Sequence, residues 1–209
     1  MKGIEQKLNE GRQYRDFNAL NPTDEMVVEG YATTFDSPYV LWRDGNYEVR
    51  EIVDRNAFAE TDMTDVVMQY NHEGRVFARN SNGTLTLRVD DNGLHVTALL
   101  GGTELGRQLY EEIKGGYTNK MSFGFTVDED KQEVIEEGEN VRITRTILKI
   151  GKLYDVSAVS IPANDQTSIA ARNYCEGVIA DVAEEFRKRD ERKAQIERIK
   201  NMTEVSYGE

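Results

Sequence analysis

The chain has 209 residues, 38% hydrophobic and 31% charged, with a mean hydropathy of -0.64. That balance supports one medium-sized domain with a packed centre and solvated ends. Acidic residues outnumber basic ones 38 to 26 and leave a net charge of -12, which repels phosphate backbones and argues against nucleic acid as a ligand.

Residues 1–24 are polar without a clear period and read as an N-terminal arm. Met26 to Ala32 is apolar enough for a first strand, and Ser37-Pro38 and Asp44-Gly45-Asn46 are loop and turn signals. Tyr47 to Val53 alternates apolar and charged residues, as a half-buried strand does. Ala57 to Glu60 suits a short helical turn. Val66, Met68 and Tyr70 share one face of a further strand, and His72 follows just past its end. Leu85 to Val89 and Leu94 to Leu100 flank Asp90-Asp91-Asn92-Gly93, a hairpin signal because Asn-Gly tolerates positive φ. His95 lies in the second of these strands.

One central helix is predicted. Thr103 caps it, Leu105, Leu109 and Ile113 recur at helical spacing, and Gly115-Gly116 ends it. Phe123 to Val127 returns to strand, and Asp128 to Asn140 reads as an acidic loop. Val141 to Leu148 alternates, with Val141, Ile143, Arg145 and Ile147 on one parity. Leu153 to Ile161 is the last strand, closed by Pro162. Beyond Tyr174, Val178, Val182 and Phe186 suit one face of a helix, which runs into a highly charged tail. The predicted division is an arm over 1–24, a domain over 25–172 and a charged, helical or partly disordered tail over 173–209. About eight short strands with one or two helices point to a mainly β, α+β chain folded as a barrel or a folded-over sheet.

Few residues are available for chemistry. Cys175 is the one cysteine, so no internal disulfide forms, and its solitary presence suits a reducing compartment. Met1-Lys2-Gly3-Ile4-Glu5 leads into no apolar signal segment, and no run approaches the ~18 apolar residues of a membrane span. The expected location is the cytoplasm or a cytoplasmic assembly. Two histidines and one cysteine make a poor metal set, and Gly101-Gly102 and Gly115-Gly116 lack the context of phosphate loops, so neither metal nor cofactor is expected.

A serine nucleophile needs a base, usually histidine, and an acid that orients the imidazole. His72 is placed where a strand gives way to Glu73-Gly74-Arg75; by pattern it is either a base or a surface residue. Ser122 opens the strand containing Phe123-Gly124-Phe125, and is either a nucleophile or an ordinary strand serine; no GxSxG elbow surrounds it. Asp155 stands in a half-apolar strand, either facing solvent or held by a histidine.

Taken in order, Gly30-Tyr31-Ala32 with Phe35-Asp36, Asn71-His72, Gly83, Asn92-Gly93, Met121-Ser122-Phe123-Gly124-Phe125 and Asp155 to Asn164 resemble the prohead protease family of HK97-type tailed phages over residues 26–172. The resemblance implies a fold similar to herpesvirus assembly proteases, a β-barrel surrounded by helices. It implies a serine endopeptidase with Ser122 as nucleophile, His72 as base and Asp155 as orienting acid, where the family typically has Glu. Herpesvirus relatives use a second histidine in that third role, which makes His95 the rival. It also implies a place in the host cytoplasm, inside the assembling procapsid. There such an enzyme cuts scaffold protein, or the scaffolding segment of the major capsid protein, and commonly itself. Homo-oligomers occur among the relatives. The other readings are a non-catalytic, scaffold-binding assembly protein on the same fold and a serine esterase with a different substrate.

Overall fold

The computed structural model describes residues 12–23, 25–160 and 169–206, with side chains at 12–15, 20–23, 25–160 and 173–200. The chain divides into two compact units, Met1–Ala171 and Arg172–Glu209. In the first unit, eleven strands run in chain order: β1 (Gln13–Ala19), β2 (Asn21–Pro22), β3 (Val27–Thr34), β4 (Tyr39–Asp44), β5 (Tyr47–Val53), β6 (Val67–Tyr70), β7 (Glu73–Arg79), β8 (Leu85–Val89), β9 (Gly93–Leu99), β10 (Lys120–Glu137) and β11 (Asn140–Val159). Helix α1 (Glu104–Lys114) lies between β9 and β10. The second unit is formed by helix α2, which begins in the first and runs over Ile169–Ser206.

Among the described residues the chain is therefore mainly β with two α-helices. Its strands lie in two open sheets where the resemblance implies a barrel. The seven-stranded sheet has the order β1-β10-β11-β5-β4, with the β6–β7 hairpin joined to β11; the four-stranded sheet runs β2-β3-β9-β8. One core spans both sheets and α1. It takes Val28, Ala32, Leu94, Val96 and Ala98 from the small sheet, Leu109, Tyr110 and Ile113 from α1, and Met68, Met121, Phe123, Phe125, Leu153, Val156 and Ala158 from the large one. Phe123 and Phe125 stack with centroids 4.5 Å apart, and each buried side chain of this size contributes roughly 1.5–3 kcal/mol.

Several sequence expectations change. The arm expected over residues 1–24 includes a sheet strand, since β1 pairs antiparallel with β10 across Gln13–Ala19. Its polar residues fit because Arg15 is buried against Glu51 rather than solvated. The expected loop Asp128–Asn140 is the outer half of β10, paired with β11 from Glu129 to Glu137 around a turn at Gly138. Its side chains are exposed, so no apolar period marks it as a strand. Residues 141–148 and 153–159 belong to one continuous strand, β11.

In α1, Thr103 caps as expected, accepting from Gly106 N at 3.0 Å. The buried face, however, is Gly106, Leu109, Tyr110 and Ile113, while Leu105 is exposed. At the Asp90–Gly93 hairpin, Gly93 does not take positive φ; Asp90 Oδ1 accepts from Asn92 N at 2.9 Å, and glycine is needed because a Cβ would run into the Thr33 carbonyl. Ile161 and Pro162, expected at the end of the last strand, lie outside the described residues, as do residues 1–11 and 207–209.

Candidate active site

Three neighbouring strands assemble the site. Ser122 is near the start of β10, opposite Ser157 of β11, and Gly124 is opposite Asp155. Paired residues of adjacent strands share a face, so Ser122, Gly124, Asp155 and Ser157 stand together on the side away from Phe123, Val156 and Ala158. A β-bulge makes this possible. The register passes from Gly124↔Asp155 to Phe125↔Leu153 and leaves Tyr154 as the extra residue. Without it, strict alternation would put Asp155 on the same side as the core residue Leu153.

β6 lies alongside β11 in parallel, with Val67 opposite Asp155 and Ala158 opposite Tyr70. It turns at once into β7: Tyr70 pairs with Glu73, and Asn71 and His72 form the two-residue turn. Both have positive φ, 50° and 61°, the requirement of a type I′ hairpin turn. For L-residues this costs roughly 1–2 kcal/mol each, less for Asn. The turn is tied down by Asn71, whose N–H donates to Ala158 O at 2.9 Å and whose Oδ1 accepts from Ser160 N at 3.1 Å. His72 is thereby fixed over β10 and β11.

The three side chains form a continuous relay. In its Nδ1–H tautomer the His72 ring donates to Asp155 Oδ1 at 2.5 Å, and its Nε2 accepts from the Ser122 hydroxyl at 2.7 Å. Asp155 Oδ1 also accepts from Ser157 Oγ at 2.7 Å. The Tyr14 ring of β1 packs against the imidazole, centroids 4.3 Å apart and planes at 59°. Gly124 admits both neighbours: a Cβ there would overlap Asp155 Oδ2 and approach Tyr14 Cε1 to 2.8 Å. Ser122 has no exposed surface and Asp155 is 2% exposed.

The structure brings Ser122, His72 and Asp155 together. It does not bring His95 to them: His95 is in the small sheet, paired with Tyr31 and Arg88, and its ring meets Tyr31 edge-on at 5.0 Å. Tyr14 and Ser157 are the neighbours that sequence reasoning missed. Tyr14 fell within the supposed arm. Ser157 carried a signal, since a hydroxyl two residues from an acid in a strand shares its face.

A buried carboxylate, an imidazole and a serine hydroxyl in series are the parts with which serine peptidases activate a hydroxyl for attack on a carbonyl. The family model described as caudovirus prohead serine protease matches residues 15–179, and the chain belongs to that family. Among solved structures, the bacteriophage T4 capsid assembly protease, gp21, is similar at 13% identity over 72% of this chain and 99% of that one, with a TM-score of 0.39. No curated protein matches the chain.

Proposed function

We propose that this member of the prohead serine protease family is a maturation endopeptidase in which Ser122 is the nucleophile, His72 the general base and Asp155 the acid that orients it. The observation that carries the reading is the relay from Asp155 Oδ1 through both nitrogens of His72 to Ser122 Oγ. In the reaction, Ser122 Oγ bonds to the scissile carbonyl carbon as its proton passes to His72 Nε2. The C–N bond then breaks, and the departing amine takes that proton. Water repeats the sequence in reverse roles and frees the acyl group from Ser122. Asp155 keeps the imidazole in the Nδ1–H tautomer and offsets the charge of the imidazolium. Its side chain, one methylene shorter than the family's typical Glu, still reaches His72 because the bulge at Tyr154 and the space over Gly124 let the carboxylate lie close to β10.

The proposed substrates are scaffold protein, or the scaffolding segment of the major capsid protein, inside the assembling procapsid. The chain itself is a further substrate. Its largely exposed, charge-rich residues 187–200 lie in α2, so a cut there needs local unwinding of the helix.

Intact mass of wild type and Ser122→Ala, each co-expressed with the capsid and scaffold proteins of the same phage, tests the proposal. Shortened scaffold or shortened protease in wild type alone is the expected result, and the fragment ends give the cleavage preference. Identical masses in assembled particles would overturn it and leave the non-catalytic assembly protein as the reading.

A further inference from the structure

We propose that Ser157 is a positioning residue of this site, a fourth member that holds Asp155 for His72; the inference rests on the catalytic reading of Ser122, His72 and Asp155. Asp155 is almost fully buried, and the only hydrogen bonds to its side chain from the described residues come from His72 and Ser157, both to Oδ1. Among the described residues, unlike Glu51, it has no ion pair to a permanent cation, the His72 ring being its one ionic contact. A buried carboxylate needs donors, and an imidazole that moves a proton in every turnover is a changing one. Ser157 supplies the donor that does not change.

The strand geometry makes that bond local and stiff. Asp155 and Ser157 are two apart on β11 and project to the same side. Ser157 is fully buried, and its hydroxyl points along the strand to Asp155 although Ser122 stands directly across from it in register. The Asp155 side chain is thus fixed on both sides: Ser157 holds Oδ1, and Oδ2 lies in the space that the missing Cβ of Gly124 leaves open. A carboxylate fixed in this way presents a single oxygen to His72 Nδ1, so the opposite nitrogen stays aimed at Ser122.

The test is the rate at which a small organophosphonate fluoride labels Ser122, because that rate reads nucleophile activation without knowledge of the peptide substrate. Five forms are compared: wild type, Ser157→Ala, Ser157→Thr, Asp155→Asn and Ser157→Ala combined with Asp155→Asn. Loss of one hydrogen bond to a buried charge predicts labelling of Ser157→Ala slower by about tenfold. Ser157→Thr, which keeps the hydroxyl, recovers most of the rate. With Asp155→Asn already present, Ser157→Ala adds less than about twofold, since the charge it served is gone. The downfield proton of the His72–Asp155 hydrogen bond, read by NMR, moves or broadens in Ser157→Ala while the melting temperature holds.

Equal labelling of wild type and Ser157→Ala with an unmoved downfield proton would sink the role of Ser157 alone. An equal fractional loss with and without Asp155→Asn, accompanied by a lower melting temperature, would also sink it and leave Ser157 as core packing. Absence of any Ser122 labelling in wild type strikes at the protease reading instead, and the role of Ser157 toward Asp155 is then decided by the downfield proton.

Discussion

Two buried polar clusters share strands β1, β10 and β11, and they are stabilised in opposite ways. The first is Glu51 of β5, fully buried between Arg15 of β1 and Arg145 of β11. Arg15 donates to both its oxygens, at 2.5 and 2.8 Å, Arg145 donates at 3.1 Å, and the Tyr39 hydroxyl also donates to it. Asp130 accepts from Arg145 at the rim. Burial pushes the Glu51 carboxyl up, but the charge and hydrogen bonds of Arg15, followed by the charge of Arg145, carry it below its ordinary value. Burial, the charge of Glu51 and its hydrogen bond raise the Tyr39 hydroxyl well above its own. Glu51 therefore stays ionised and Tyr39 stays protonated near neutrality. The second cluster, Asp155, His72, Ser122 and Ser157, holds its carboxylate with the His72 imidazole and the fixed hydroxyl of Ser157, and the imidazole is bonded in turn to the Ser122 hydroxyl. Permanent countercharges make a brace; a relay of exchangeable protons makes a site for chemistry. β1 reaches both, because alternate residues of a strand point to opposite faces: Arg15 enters the brace and Tyr14 packs on His72.

The sharpest way to break this contrast is to delete one group from each cluster and read activity and stability separately. Ser122→Ala removes the proposed nucleophile, and on that reading kcat falls by about 10⁶, the scale seen when a triad serine is lost. Its urea midpoint stays close to that of wild type. Asp155→Asn leaves the shape and releases the tautomer of His72, a change worth about 10⁴ in kcat where it has been made in other triads. Both are followed by cleavage of scaffold protein, the proposed substrate, in purified mixtures; Asp155→Asn at full activity would mean that some other group orients His72.

Glu51→Ala reverses the pattern. It leaves two buried guanidinium groups facing each other, and breaking such a pair costs about 3–5 kcal/mol. Urea unfolding in the Ser122→Ala background, where self-cleavage cannot interfere, reads the loss. Per folded molecule, organophosphonate labelling of Ser122 in a Glu51→Ala single variant should fall far less than in Asp155→Asn. The contribution of Glu51 also depends on acid in a defined direction. Its folded carboxyl titrates below the ordinary value of 4.5, so its stabilisation is complete above that pH and is lost as pH falls from 4.5 through the lowered value. Glu51→Gln removes that slope. A wild-type midpoint that stays flat across the same window would show that the brace is not charged as described.

The two clusters were unequally legible in the sequence. Ser122, His72 and Asp155 were found by resemblance, since each residue alone had an ordinary explanation. What pattern missed was the bulge at Tyr154, which no alternation rule places and which turns Asp155 away from the core. The brace went unnoticed although it left a trace. Arg145 occupies the same parity as Val141, Ile143 and Ile147, and Glu51 the same parity as Val49 and Val53. A cation and an anion on buried parities of two strands invite pairing, and β5 and β11 do lie in parallel with Glu51 opposite Arg145. β1 was the least legible element because its burial depends on Arg15 finding Glu51, a partner 36 residues away. The outer half of β10 was lost for the opposite reason: exposed on both faces, it follows hydrogen bonds to β11 that no side-chain period reports.

The smallest expected effect tests where the two clusters meet. Tyr14 touches the imidazole of His72 and closes over Gly124. An aromatic pair contributes about 0.5–1.5 kcal/mol beyond simple burial, equivalent to a change of roughly two- to twelvefold in rate if the contact serves the reactive position of His72. Tyr14→Leu should therefore lower kcat by that amount, whereas Tyr14→Phe, which keeps the ring, should retain most of it. Trimming the chain before Gln13 should leave activity in place, and trimming through Tyr14 should lower it at least as much as Tyr14→Leu. If Tyr14→Leu instead lowers the urea midpoint with kcat unchanged, the contact belongs to the brace, and β1 serves the site only by holding the sheet together.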